Sequence, residues 1–155
     1  MEFVTLTKKE FDDFSNNYKD KCYLQSSNIA EFRKTQGWHT EYVGVKENKK
    51  VLAATLLLSK KRHIKKEFYT LRGPQLDYTN KKLLSFFMTE LKKHVKNNNG
   101  YFLRIDPYIE VKSLDKDGKE TGIFDNSNII KNLKDLGFIE VESKQMTDTV
   151  QAKFM

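Results

Sequence analysis

Hydrophobic residues in this 155-residue chain recur with two different periods, and these predict helices and strands. Between residues 80 and 97 they recur at steps of three and four, which predicts the longest helix, with lysines such as Lys92 on its wet face. Its apolar face consists of Leu83, Leu84, Phe87, Met88, Leu91 and Val95. Residues 51–59 are apolar without alternation, which is typical of a strand covered on both faces. This strand is predicted to form the centre of a sheet.

Three further helices are predicted from residues with capping chemistry. Ser26-Ser27 can begin one that ends at Gly37, because a serine hydroxyl accepts from free amides and glycine closes a helix. Its apolar stripe is predicted to hold Ile29, Phe32 and Ala30, which leaves Arg33 on the solvated side. The other two helices are predicted over residues 7–18, after a capping box, and residues 126–136.

The remaining apolar segments are short and β-prone. Strands are predicted over residues 2–5, 38–46, 51–59, 68–72, 101–106 and 138–142, and residues 150–155 resemble the opening of another. One of them ends at Arg72, because Gly73-Pro74 cannot continue a central strand. Arg72 then lies where a strand opens into a loop, a common place for anion-binding side chains. The order of elements predicts an α/β fold, a mixed sheet with helices on its faces.

Composition narrows the choice of partners without deciding it. The chain has 28 Lys and Arg against 21 Asp and Glu, a net charge of +7, which favours polyanions such as nucleic acid, diphosphate groups or an anionic membrane. Its densest basic run is residues 60–66. That run fits phosphate binding or an acidic membrane surface, and a solvated hairpin tip explains it equally well.

Several chemistries are not expected. Cys22 is the single cysteine, so no intrachain disulfide can form, and a reducing cytoplasm is the expected compartment. The histidines at 39, 63 and 94 lack the short spacings of zinc ligands, so no metal site is expected. Asp115-Lys116-Asp117-Gly118 lacks the later ligands of a calcium loop and predicts a tight turn. No apolar segment approaches the roughly 18 residues of a membrane span, which predicts a soluble protein.

An ordered series of short motifs runs through the chain. It comprises Tyr23-Leu24-Gln25-Ser26-Ser27, Gly37-Trp38, Val43-Gly44-Val45, Ala53–Leu58, Arg72-Gly73-Pro74, Asp77-Tyr78, Ile105-Asp106-Pro107-Tyr108 and Leu136-Gly137-Phe138. In this order and spacing the chain resembles the amino-terminal half of the FemABX family of peptidyltransferases. The resemblance implies a single GNAT-like acyltransferase domain over residues 1–155, with a second subdomain absent from this chain.

The resemblance also implies a function. Proteins of this type transfer an aminoacyl group from aminoacyl-tRNA to the stem peptide of a peptidoglycan precursor, lipid II or its nucleotide-linked forerunner, with no cofactor besides the charged tRNA. The precursor is expected to contact Arg33, Tyr101 and Arg72. Asp106 matches the family's Asp-Pro pair and is either catalytic or a carboxylate that caps the strand end. The enzyme is expected in the cytoplasm, peripheral to the membrane, with this fragment inactive alone and tRNA bound mainly by the missing half.

Two alternative functions belong to other classes than the aminoacyltransferases. The positive charge also fits a nucleic-acid-binding module without catalysis, whose affinity would fall steeply with salt. A stand-alone N-acetyltransferase of the same fold would need a glycine-rich turn to hold the pyrophosphate of coenzyme A. Arg72-Gly73-Pro74 is the nearest candidate, and it is too short and loses one amide to proline.

Overall fold

The structure, a computed structural model, describes residues 1–141. Within this range the chain forms a five-stranded mixed sheet, a separate two-stranded hairpin and the helices that flank them. The elements in chain order are β1 (Glu2–Thr5), α1 (Lys8–Asn16), α2 (Ser27–Thr35), β2 (His39–Glu47), β3 (Lys50–Arg62), β4 (Lys65–Thr70), α3 (Lys81–Asn97), β5 (Gly100–Ile105), β6 (Lys112–Leu114), β7 (Glu120–Asp125) and α4 (Ser127–Asp135). The predicted α/β class is confirmed.

The large sheet has the strand order β1-β2-β3-β4-β5. Its first four strands are antiparallel neighbours, and β5 joins β4 in parallel after a crossover through α3. Strand β3 is the longest, and it is buried from Ala53 to Ser59. Continuous burial is possible only because both faces of the sheet are covered.

The core has two layers, one on each side of the sheet. On one side Ala54, Leu56 and Leu58 of β3 pack with residues of α1 and α2. On the other side Ala53 and Leu57 pack against α3 and α4. All six predicted core residues of α3 are buried, which confirms its apolar face.

The loop after β4 completes the sheet where β4 itself does not reach. β4 pairs only with the last part of β3, from Leu58 to Arg62. Further along, Ala54 of β3 exchanges two backbone hydrogen bonds with Gln75 of the loop, at 3.0 and 2.9 Å. The segment around Gly73 is therefore held against the central strand.

A buried glutamine fastens this loop from the other side. The side chain of Gln25 is 1% exposed. Its Nε2 donates to the carbonyl of Leu71, and its Oε1 accepts from the amide of Leu56 at 2.8 Å and from Thr55 Oγ1 at 3.2 Å. A Cβ on Gly73 would lie 2.7 Å from Gln25 Nε2, so only glycine fits there. The predicted motif residue Gln25 thus ties the start of α2 to β3 and to the loop.

The structure corrects the predicted face of α2. The predicted burial of Ala30 is confirmed, Ile29 packs partly buried beside it, and Ser27 is buried as well, but Phe32 is 54% exposed. Two residues of helix turn by about 200°, so Phe32 lies opposite Ala30, whereas Arg33 lies within about 60° of it. The prediction that Arg33 is solvated and Phe32 buried is therefore wrong, and Arg33 is half-buried.

Two strand predictions near the loops are also wrong. β4 ends at Thr70 rather than Arg72, because Leu71 gives its carbonyl to Gln25 and Arg72 adopts a left-handed φ of 47°. Residues 138–141 form no strand, since Phe138 packs on the half-buried Lys92 of α3, whose Nζ lies 4.2 Å from the ring centroid. The prediction that Lys92 lies on the solvent-exposed face of α3 is therefore wrong. The predicted strand at 150–155 lies outside the described residues.

The hairpin β6–β7 was not predicted, although the turn at its tip was. Asp115 and Lys119 close that turn through a 2.8 Å backbone hydrogen bond. The strands escaped prediction because Leu114 and Ile123 are exposed, so no alternation of buried and solvated residues marks them.

We predict that Gln25→Ala destabilises the fold by at least about 2 kcal/mol, because the buried amide of Leu56 and carbonyl of Leu71 both lose their side-chain partner. Urea unfolding followed by circular dichroism measures the difference. Gln36→Ala is the matched control, since Gln36 is exposed at the end of α2 and should change stability by about 0.5 kcal/mol or less. Equal losses in the two variants would contradict the role assigned to Gln25.

Candidate functional site

A groove of about 270 Å³ is lined by residues of α2, β3, β4 and β5. We call it the arginine groove. Its lining consists of Arg33, Trp38, Leu58, Arg62, Glu67, Phe68, Tyr69, Phe102 and Arg104. The sheet supplies the floor, and α2 with the following residue Trp38 supplies one wall.

Cations outnumber acids in the arginine groove. Glu67 is its one acidic lining residue and is paired with Arg62, Nε to Oε1, at 2.9 Å. Arg33 donates from Nη1 to Gln36 Oε1 at 2.8 Å, while its buried Nε has no hydrogen-bond partner among residues 1–141. The guanidinium of Arg104 lies 5.4 Å from the ring centroid of Tyr69. The groove thus carries more positive than negative charge.

Aromatic rings line the same groove. Trp38, Tyr69 and Phe102 contribute to its walls, and Phe102 is 49% exposed. Lys60 lies at the rim, with Nζ 5.5 Å from the centroid of the Trp38 ring. Flat apolar surface beside cations suits a ligand that joins ring systems to phosphate groups.

The position of Arg33 follows from the local structure at both ends of α2. Ser26 caps the first turn through its side chain, which accepts from the amide of Ile29 at 3.3 Å. At the far end, Gly37 takes a positive φ of 77°, which lets the amide of Trp38 reach the carbonyl of Arg33 at 3.1 Å. This hydrogen bond fixes Arg33 and Trp38 relative to each other in the lining of the groove.

A second polar cluster lies where β4 and β5 end. Asp106 Oδ2 accepts from the Tyr69 hydroxyl at 3.4 Å and lies 3.8 Å from Arg72 Nε. The Arg72 guanidinium also lies 5.8 Å from the ring centroid of Tyr108. The amide of Asp106 donates to the carbonyl of Gly73 at 3.3 Å, which fixes the cluster to the loop after β4.

Tyr69 connects the groove to this cluster, because its ring lines the groove and its hydroxyl contacts Asp106. Burial raises the pKa of Tyr69 to about 12, and the negative charge of Asp106 acts in the same direction. The hydroxyl therefore remains protonated at neutral pH and donates to the carboxylate.

The residues expected from the sequence divide between these two places. Arg33 lines the groove, whereas Arg72 and Asp106 form the cluster beside it. Tyr101 is 55% exposed and is absent from the groove lining, where the neighbouring Phe102 stands instead. Tyr101 is the extra residue of a β-bulge, because Lys66 pairs with Gly100 and Glu67 with Phe102.

The sequence reasoning missed Trp38, Tyr69, Phe102 and Arg104 as groove residues. The alternation in β5 could have revealed two of them. Leu103 and Ile105 pack into the core beneath α3, so Phe102 and Arg104 must face the opposite side.

Several amides before and at the start of α3 are committed within the loop and the helix cap. Pro74 has no amide hydrogen, Gln75 gives its amide to Ala54, and Thr79 gives its amide to Asp77 Oδ1. Asn80 caps the helix through Oδ1, which accepts from the amide of Leu83 at 3.0 Å. Coenzyme A binding through a helix terminus therefore finds no support in this loop.

Residues 1–141 show neither a metal-binding arrangement nor a membrane span. No three His, Cys, Asp or Glu side chains in this range come close enough to share a metal ion. Of the helices described, none has the length and apolar character that crossing a bilayer requires.

Comparison with solved structures places the fold in the GNAT acetyltransferase-like class. Glucosamine-6-phosphate N-acetyltransferase from Arabidopsis thaliana superposes with a TM-score of 0.58 at 12% identity, covering 93% of this chain and 95% of that one. FemX superposes with a TM-score of 0.73 at 28% identity, covering 88% of this chain and 32% of FemX.

Residues 6–155 match the FemAB family, and the chain belongs to that family. The aminoacyltransferase FemA of Staphylococcus epidermidis is 37% identical over 140 residues, which cover 89% of this chain and 34% of the relative. Aminoacyltransferase FemA of Staphylococcus aureus is 36% identical over the same length and is covered to 33%. The chain thus spans about a third of the length of these relatives.

We predict that the Tyr69→Phe variant loses less stability than the wild type as the pH rises from 10 to about 12. The pKa of Tyr69 is raised from 10.0 to about 12 in the folded state, so between these pH values the unfolded chain releases the proton first and stability falls. Below pH 10 this contribution is fully present. Urea unfolding from pH 8 to 12 measures the slope, with Tyr101→Phe as a control at an exposed ring. Identical slopes in Tyr69→Phe and the wild type would contradict the assignment.

Proposed function

We propose that this chain binds the peptidoglycan precursor in an aminoacyltransferase that extends the precursor's stem peptide from aminoacyl-tRNA. The observation that carries the proposal is the arginine groove, where Arg33 and Arg104 stand beside aromatic rings. Membership of the FemAB family supports the transferase chemistry. Charged tRNA is the co-substrate, and the reaction takes place in the cytoplasm, where charged tRNA is available.

The groove suits the diphosphate and sugar region of such a precursor. An arginine presents a planar fork of donors that matches phosphate oxygens, and two arginines on facing elements can hold a diphosphate from both sides. Phe102 and Trp38 offer flat surfaces for a sugar or a nucleobase. Tyr101, next to Phe102 and 55% exposed, extends this aromatic surface towards the rim.

The reaction is the aminolysis of an ester. The amino group of the stem peptide attacks the ester carbonyl of the aminoacyl-tRNA, the carbon–oxygen ester bond breaks, and the ribose hydroxyl leaves with a proton. The attacking nitrogen loses a proton in forming the amide; we assign its acceptance to Asp106, which then passes this proton to the departing ribose oxygen. Arg72 and the Tyr69 hydroxyl hold this carboxylate in place. Arg72 can also contact a precursor phosphate.

We predict that Arg33→Ala and Arg104→Ala each weaken binding of the nucleotide-linked muropeptide about 10- to 100-fold. The loss of a charge-assisted hydrogen bond is worth about 1.5–3 kcal/mol, which corresponds to that factor. Isothermal titration calorimetry on the 155-residue chain measures the dissociation constant.

Lys34→Ala is the matched control for the charge, because Lys34 is exposed on the same helix, pairs with Glu31 and does not line the groove. It should leave precursor affinity unchanged. An equal loss of precursor affinity in Lys34→Ala and Arg33→Ala would show that only net charge matters, and it would contradict the proposal. Affinity for tRNA that falls while precursor affinity stays constant would favour the nucleic-acid-binding alternative.

We further predict that Asp106→Asn lowers the transfer rate at least about 100-fold, the usual contribution of a positioned general base. Precursor binding should change little, because Asp106 does not line the arginine groove. Because this chain is expected to be inactive alone, the substitution is made in the aminoacyltransferase of which the chain is part, and the assay follows radiolabelled amino acid from charged tRNA to the nucleotide-linked precursor across a range of pH. A normal rate with a normal pH profile would leave Asp106 only its structural role at the end of β5.

A further inference from the structure

The tip of the β3–β4 hairpin brings like charges face to face. Residues 60–66, which we call the basic tip, contain five Lys and Arg residues. Lys61 is the direct partner of Lys66 across the two strands, and Arg62 is the partner of Lys65. Like charges in directly opposed positions destabilise a strand pair. The fold gains nothing from these two pairs, and a function outside the fold explains them better.

The turn itself has an equally unfavourable composition. His63 and Ile64 occupy the two-residue loop, although tight hairpin loops favour Gly, Asn or Asp. His63 adopts a left-handed φ of 53°, and the side chain of Ile64 is 80% exposed. A bulky aliphatic side chain thus stands in water at the end of a cationic hairpin.

The basic tip is held by the neighbouring turn between α3 and β5. Asn99 Nδ2 donates to the carbonyl of Ile64 at 2.7 Å. The amide of Lys66 donates to the carbonyl of Asn99 at 2.9 Å. These two hydrogen bonds therefore hold the backbone that carries the exposed Ile64 side chain.

We propose that the basic tip docks on an anionic lipid bilayer. The lysines meet the negative headgroups, and Ile64 enters the boundary between headgroups and acyl chains. A cluster of four to eight basic residues is the typical composition of a surface that binds anionic lipid. The exposed aliphatic side chain favours a bilayer over a nucleic acid, because an aliphatic group gains nothing from phosphates alone and gains from burial in lipid.

The inference is independent of the proposed function, since Lys61, Ile64, Lys65 and Lys66 do not line the arginine groove. Arg62 belongs both to the basic tip and to the lining of the arginine groove, so the two surfaces are adjacent. Where the proposed function also holds, a docked basic tip sets the groove close to the headgroups, the depth at which a lipid-linked diphosphate lies. A lipid-linked precursor is then the form that the groove meets at the membrane.

The test is co-sedimentation of the 155-residue chain with vesicles of phosphatidylcholine, with or without phosphatidylglycerol. We expect binding only to the anionic vesicles and a marked loss with added salt. Lys61→Ala/Lys65→Ala should weaken partitioning roughly 25-fold, since each basic residue near an anionic surface contributes about fivefold. Ile64→Ser, which leaves every charge in place, should also weaken it.

Lys81→Ala/Lys82→Ala is the matched control, because it removes the same charge at exposed positions that begin α3, about 25 Å along the helix from its end near Asn99. It should leave partitioning unchanged. Absence of binding to anionic vesicles, equal loss in the two double variants, or an Ile64→Ser variant that binds normally would overturn the inference. So would tip variants that lose tRNA affinity and keep vesicle binding.

Affinity for the nucleotide-linked muropeptide, measured without vesicles, separates this inference from the proposed function. It should be unchanged in Lys61→Ala/Lys65→Ala, whose residues lie outside the groove. Loss of that affinity in the tip variant would overturn the separation between tip and groove. Loss of vesicle binding alone, with precursor affinity intact, is the result that the proposal requires.

Discussion

The buried side-chain amide of Gln25 is the contact on which the geometry of both polar regions depends. A primary amide has donors and acceptors in a fixed plane, and here it uses them on Leu71, Leu56 and Thr55 at once. The three contacts belong to the loop after β4 and to the central strand. Because Ser26 follows directly and caps α2, the same contact also determines where that helix begins.

From this anchor the arginine groove is built by elements distant in sequence. Arg33 comes from the end of α2, while Tyr69 and Arg104 are cross-strand neighbours on β4 and β5. The parallel pairing of β4 and β5 needs the crossover through α3, so the groove exists only when the whole sheet is formed. The core and the site are therefore one cooperative structure, and a variant at Gln25 should disturb both.

The fold alone does not decide the chemistry, since acetyltransferases at 12% identity share it. The loop between β4 and α3 makes the difference. The amide of Gln75 is committed to Ala54 and that of Thr79 to Asp77, and Gly73 is held against Gln25. Cations and aromatic rings line the arginine groove, where we propose that the precursor binds. This arrangement agrees with membership of the FemAB family.

The sequence by itself determined the class of fold, the apolar face of α3, the central strand and the family, because these rest on local periodicity and on short motifs. It also indicated Arg33, Arg72 and Asp106 as candidates. Tertiary structure alone decided that Arg33 is half-buried in the groove while Phe32 faces water, since nine residues of α2 contain too few apolar side chains to define one stripe. It likewise decided that Tyr101 is the extra residue of a bulge, although the alternation after it places Phe102 and Arg104 on one face of β5. One bulge residue shifts the strand register, and no pattern of hydrophobicity records a bulge.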